Sequence, residues 1–198
     1  CNALPIPTAL YGHPQGTPAG SWRFIAGKES PPMCELGWKS VGVLELTALP
    51  SIARERWLRW VTEADVLLVN GGDALYLCHW MRQSGLADLL PSLRDLTWVG
   101  LSAGSMVMAP RVGTAFVEAL PISGEDRALG VVDFSIFPHL DYPGFAGNTM
   151  AEAHRWAASL GGPGYAIDDQ TALRVVDGRV DVVSEGNWKF FPGPHRVR

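Results

Sequence analysis

Apolar positions along the chain fall into two alternating rhythms. Residues 64–70 (ADVLLVN) and 96–101 (LTWVGL) are short, nearly continuous apolar runs, each ending in a glycine-rich turn. Such runs predict strands buried on both faces of a parallel sheet. Residues 41–47 (VGVLELT) form a further β-rich run. Between the runs the period changes. In 51–64, Ile52, Trp57, Leu58, Trp60 and Val61 recur at helical spacing; 74–84 is helical, and 86–93 continues it past Gly85. Residues 102–109 predict a helix that starts at once, with no linker after the strand before it. Strands alternating with helices through short turns predict an α/β sandwich with a mainly parallel sheet.

The second half reads differently. Residues 113–122 and 131–137 have strand character, and 145–160 contains a helix stopped by Gly161-Gly162-Pro163. Three short strands follow at 165–167, 171–176 and 179–184, the last two joined by Asp177-Gly178 as a tight hairpin. Residues 13–32, rich in Gly and Pro, read as the least ordered stretch, with a helical middle at 21–28. No linker divides the chain, so its 198 residues read as one domain. The chain opens without Met and without a basic and apolar leader. Residues 2–10 read as a segment already under way, the mark of a processed product or of a missing preceding stretch.

Composition narrows the function classes. Lys and Arg number 16 against 20 Asp and Glu, a net charge of -4, and no basic stripe suits nucleic acid. No apolar run is long enough to span a bilayer. Three scattered cysteines (Cys1, Cys34, Cys78) make neither a disulfide framework nor a zinc site, and read as reduced thiols of a cytoplasmic protein. No cluster has metal-ligand spacing, and the glycine pairs form neither a dinucleotide fingerprint nor a P-loop, so no cofactor is expected. The eight tryptophans sit mostly in helical patterns and read as packing. The apolar helix at 74–84 suits either core or the face of a homodimer.

One motif carries chemistry. Gly100-Leu101-Ser102-Ala103-Gly104 is a G-x-S-x-G between a buried strand and a helix start, the setting of a nucleophile elbow. Its small neighbours let a strained Ser backbone turn so that the hydroxyl stands clear; the plainer reading is a Gly-Ser turn capping a helix. A serine nucleophile needs a base, and of His13, His79, His139, His154 and His195, only His139 follows an apolar strand directly. An acid should orient it. Glu118 lies in a strand-like run, Glu125 and Asp126 in a polar turn that reads as solvated, and Asp133 within an apolar strand. Asp168 and Asp169 follow the 165–167 strand and share the strand-end position of His139. The oxyanion needs two backbone N–H donors. Ala103 supplies one, and Gly71 or Gly72 suits the other. Asp73, next in the turn, suits a helix N-cap, and Gly71 and Asp73 are also candidate substrate contacts.

These residues together carry a resemblance. Asn70-Gly71-Gly72-Asp73, Gly100 through Ser105, Phe137-Pro138-His139 and Ile167 through Leu173 resemble the peptidase E (aspartyl dipeptidase) family of serine peptidases. The resemblance implies a class I glutamine amidotransferase-like fold, a three-layer sandwich about a mainly parallel sheet, with Ser in place of the nucleophilic Cys. It implies Ser102 as nucleophile, His139 as base and the Gly72 and Ala103 amides as oxyanion hole, acting on dipeptides or short peptides. The family resembled completes its triad with a late Glu; the matching position here is Asp169, with Asp168 beside it and Glu118 as fallback. Aspartyl dipeptidases also carry a Gly-Glu-Thr-Arg-like segment after the His. Here it reads Gly147-Asn148-Thr149-Met150, with Arg155 one helix turn further on. An acidic substrate side chain would find no cation there, so strict Asp-X specificity is not expected. Two rival readings stand beside this one: a catalytically silent binding or sensing relative, and an esterase or amidase on the same scaffold.

Overall fold

The computed structural model describes residues 1–30, 32–117 and 125–193. It resolves into two compact units, one built on Cys1–Ser105 and the other on Met106–Val117 and the described residues from 125 onward.

The first unit contains β1 (Asn2–Ile6), α1 (Ala9–Gly12), α2 (Pro18–Ile25), β2 (Ser40–Val41), α3 (Arg54–Thr62), β3 (Val66–Val69), α4 (Ala74–Gln83), α5 (Leu86–Leu89), β4 (Thr97–Gly100) and α6 (Ala103–Met106), the last ending at the boundary. Its sheet has the order β2-β1-β3-β4 and every pairing is parallel. The fold class is therefore α/β, as the alternation predicts. All four residues of β3 are buried. Val66 and Leu68 join Ala3, Phe24, Met33 and Cys34 in one apolar cluster, while Leu67 and Val69 are buried on the opposite face. The register sets Ile6 opposite Val69 and Val69 opposite Gly100, so the carboxyl ends of β1, β3 and β4 are level. Turns leaving those ends emerge side by side, the place where open parallel sheets build sites.

Several elements depart from the sequence expectation. β4 is not buried: Thr97 and Val99 are exposed, and among the described residues this strand pairs with β3 alone. The 41–47 run pairs regularly only at Ser40–Val41, though the Gly42 and Leu44 amides still donate to Ala3 and Pro5, and Leu44 and Leu46 are buried. β1 was hidden by Pro5, which argues against a central strand. Odd-numbered carbonyls of β1 face residues 39–44. The missing N–H of Pro5 therefore falls on the side where regular pairing has already stopped. Residues 13–32 are more ordered than their composition suggests: Thr17 caps α2 by accepting from the Gly20 amide, Pro18 starts the helix, and Phe24 is in the core. The apolar side of α4 (Ala74, Leu77, Cys78, Met81) is core.

The second unit contains β5 (Ser135–Phe137), α7 (Met150–Leu160), β6 (Gly164–Ile167), β7 (Thr171–Val176), β8 (Arg179–Ser184) and β9 (Trp188–Phe191). β5 and β6 are parallel, and β9 closes against β6 antiparallel. β7 and β8 form the expected hairpin, with Asp177 and Gly178 both at positive φ (50° and 76°) as its two-residue turn requires. α7 is capped by Thr149, ends at a left-handed Gly161, and packs Ala153, Trp156 and Leu160 against Phe137 and Ala166. The 113–122 strand is not formed in its described part, where Thr114–Phe116 is a 3-10 turn; 118–122 lies outside the described residues. The 131–137 strand contracts to its last three residues, leaving Val131 and Asp133 exposed. Among the described residues no helix is long and apolar enough to cross a membrane.

Candidate active site

In the first unit the candidate nucleophile is Ser102. It leaves the end of β4 with φ +50°, a left-handed conformation that costs an L residue energy and turns the chain straight into α6. The flanking glycines are sterically required. A Cβ on Gly100 would lie 2.2 Å from the Gly104 carbonyl oxygen, and one on Gly104 would lie 2.4 Å from that of Val69. The turn is tied from four sides. The Leu101 amide donates to Val69 O (2.9 Å), the Gly104 amide to Leu101 O (2.8 Å), Ser105 Oγ to Gly100 O (2.6 Å), and Trp98 Nε1 to Gly104 O (2.8 Å). Ser102 itself is half-buried, while Ala103 beneath it is buried. This is the geometry of a nucleophile elbow.

The glycine turn after β3 runs beside it. A Cβ on Gly71 would stand 3.2 Å from Ser102 Cβ, so the two loops touch. The Gly71 amide donates to Asn70 Oδ1 (2.8 Å), a contact the sequence reading did not anticipate. Among the described residues neither the Gly72 nor the Ala103 amide is hydrogen-bonded. Gly72 has φ +138° and passes over α1 so closely that a Cβ would fall 2.2 Å from Ala9 O. Only glycine fits there. Asp73 is buried, and its Oδ1 accepts from the Tyr76 amide at 2.6 Å, so its carboxylate caps α4.

In the second unit His139 follows β5 and has φ +56°. Its Nδ1 lies 2.7 Å from Asp169 Oδ1, and the next residue, Leu140, donates its amide to Ile167 O, stapling the His139 turn to the end of β6. The His139 side chain is 19% exposed and that of Asp169 48%. Asp168 plays a different part. Its carboxylate accepts from the Gln170 amide (3.1 Å), Thr171 Oγ1 (2.7 Å) and the Asn187 amide. Burial pushes its pKa up, but these hydrogen bonds outweigh burial and hold it below the ordinary carboxylate value. Asp168 ties the β6–β7 turn to residue 187, while Asp169 points its carboxylate at the ring.

The remaining candidates lie elsewhere. Glu118 and His195 are outside the described residues. Asp126 is not solvated: it is 7% exposed and pairs with Arg111 Nε at 2.9 Å. Glu125 is exposed and paired with Arg127, and Asp133 is exposed rather than held in a strand. His79 and His154 lie within α4 and α7, and His13 ends α1. In the 147–150 segment, Asn148 Nδ2 donates to Pro138 O and Thr149 caps α7. Arg155 is ion-paired with Glu152.

Comparison with known proteins identifies the family and the fold. Residues 18–183 match the description Peptidase family S51. The chain belongs to peptidase family S51. It is a serine peptidase. Two of the solved structures that share the fold illustrate the likeness. One is a presumed peptidase E protein from Listeria monocytogenes EGD-e, 20% identical, covering 93% of this chain and 86% of its own, with TM-score 0.65. The other is a peptidase from an acI-B1 Actinobacterium, 18% identical, covering 98% of this chain and 82% of its own, with TM-score 0.66. No curated protein matches the chain.

Proposed function

We propose that this S51 peptidase hydrolyses dipeptides or other short peptides through a Ser102–His139–Asp169 triad and an acyl-enzyme. The observation that carries the reading is the 2.7 Å contact between His139 Nδ1 and Asp169 Oδ1. A carboxylate there makes Nδ1 the protonated nitrogen and leaves Nε2 with its lone pair. Nε2 takes the Ser102 proton as Oγ attacks the scissile carbonyl, then returns it to the leaving amine. The free amides of Gly72 and Ala103 receive the oxyanion. Gly71 stands against Ser102 and shapes the floor beside the acyl group, and Asp73 contributes by anchoring the turn. Water then repeats the sequence on the acyl-enzyme.

The esterase and silent-relative readings make different demands. A silent relative needs no acid on the histidine, so the Asp169 contact weighs against it. The test is hydrolysis of a panel of X-Leu dipeptides, aminoacyl-anilides and simple acyl esters by wild type and Ser102→Ala. Peptide turnover that disappears in Ser102→Ala supports the proposal. Turnover of esters alone, or of nothing, sinks it. A reducing, cytoplasmic setting is part of the same proposal, resting on Cys1, Cys34 and Cys78 all being free thiols; finding any of them in a disulfide in protein from its native source would remove that part.

A further inference from the structure

Directly after His139 the chain makes a small closed loop that holds two exposed aromatic rings against the histidine. Tyr142 is 45% exposed and Phe145 44%, an unusual expense of apolar surface for two neighbouring side chains. Their ring centroids lie 5.6 Å apart, and those of Phe145 and Tyr142 lie 5.0 and 6.1 Å from His139. The loop is tied at each step. The Tyr142 amide donates to His139 O, Phe145 to Tyr142 O, Asn148 to Phe145 O and Asp141 back to Asn148 O, while Asn148 Nδ2 holds Pro138 O. Asp141 accepts φ +55° to close it. Gly144 is shaped around one ring: a Cβ there would lie 2.4 Å from Tyr142 Cε1. The pair is thus positioned in advance of any ligand.

The surroundings select the ligand chemistry. The exposed carboxylate of Asp141 lies between the histidine and Tyr142 in the chain, and that of Asp169 is on the ring itself. Residues 147–150 are neutral, and Arg155, the cation one turn into α7, is engaged by Glu152. An acidic side chain would meet negative charge and aromatic carbon. An apolar or aromatic side chain would bury both rings at no electrostatic cost.

We propose that Tyr142 and Phe145 form a substrate subsite that binds an apolar or aromatic residue next to the scissile bond, and so set the specificity of this peptidase. The inference rests on His139 being the catalytic base. Two measurements separate it from that reading. The first compares kcat/KM for dipeptide series in which either residue is varied among Phe, Leu, Ala and Asp. The second measures binding of blocked Phe and Asp dipeptides to Ser102→Ala protein by calorimetry. Tyr142→Ala and Phe145→Ala should each cut the Phe-over-Asp preference about tenfold, in turnover and in binding, with circular dichroism unchanged. Gly144→Ala, which displaces the Tyr142 ring without removing it, should act in the same direction more weakly. Phe145→Leu, which keeps an apolar surface, should retain most of the preference. If no peptide is cleaved yet the Phe compound is still bound preferentially through the rings, the subsite stands and the peptidase mechanism falls. Equal binding of Phe and Asp compounds, or a preference unmoved by Tyr142→Ala, Phe145→Ala and Gly144→Ala together, overturns the subsite.

Discussion

Asp169 meets the His139 ring at Nδ1, 2.7 Å away, while its neighbour Asp168 spends its carboxylate on the Asn187 and Gln170 amides and the Thr171 hydroxyl. Two adjacent carboxylates thus have separable duties. Asp169→Asn preserves size but presents a neutral group to Nδ1, which favours the wrong tautomer. With Asp169 in the orienting role, kcat should fall on the order of 10³–10⁴-fold while thermal stability changes little. Steady-state kinetics beside a melting curve checks both halves. A drop of only a few-fold would remove Asp169 from the triad.

Asp168→Asn should show the opposite profile. Losing charged acceptors of backbone amides typically costs about 1–3 kcal/mol, and activity per folded molecule should be retained. The pH dependence follows from the lowered pKa. A carboxylate whose folded pKa lies below its unfolded value stabilises the fold above the unfolded value, and that contribution disappears as pH falls through the folded one. The gap in melting temperature between wild type and Asp168→Asn should therefore be full at neutral pH and close below about pH 4. A gap independent of pH would show that charge is not what Asp168 contributes.

Backbone strain at Ser102 gives a stability prediction of its own. At φ +50° an L side chain carries a penalty that glycine avoids, partly offset by the greater freedom of glycine when unfolded. Both Ser102→Gly and Ser102→Ala should be inactive. Ser102→Gly should nevertheless be the more stable of the two by about 0.5–1 kcal/mol in urea unfolding. The reverse order would mean that the elbow is not strained. Gly100→Ala and Gly104→Ala, whose added carbons would collide with backbone, should each lose about 1–3 kcal/mol or fail to fold.

The cysteines differ in reactivity. Cys34 is buried and burial pushes its thiol up to about 11; burial also raises Cys78, against the opposing pull of Arg82. Cys1 is exposed. In native protein at pH 8, a thiol reagent should modify Cys1 quickly and the other two only on unfolding. Rapid titration of all three thiols would contradict their burial.

Much of this protein was legible in one dimension. The apolar run at 66–69, the helix at 74–83, the 171–184 hairpin and the stop at Gly161 rest on local chemistry: continuous apolar residues, caps, and a turn pair that tolerates positive φ. The G-x-S-x-G motif was legible in part for the same reason, since Gly100 answers to the Gly104 carbonyl four residues on, whereas Gly104 answers to Val69 on the neighbouring strand. What required the folded chain was everything set by distant partners. β1 is a central strand despite Pro5 because the gap in its donors falls beside residues 40–44. Thr97 and Val99 of β4 are exposed, which the apolar residues of the strand do not encode. Asp126 is buried with its carboxylate paired to Arg111, fifteen positions earlier. Asp169 rather than Asp168 faces His139 because the pairing of β5 with β6 brings together strand ends thirty positions apart and Asn187 claims the other carboxylate. Local pattern determines which residues can do chemistry; sheet register decides which of them meet, because hydrogen bonds between strands are made across the sequence rather than along it.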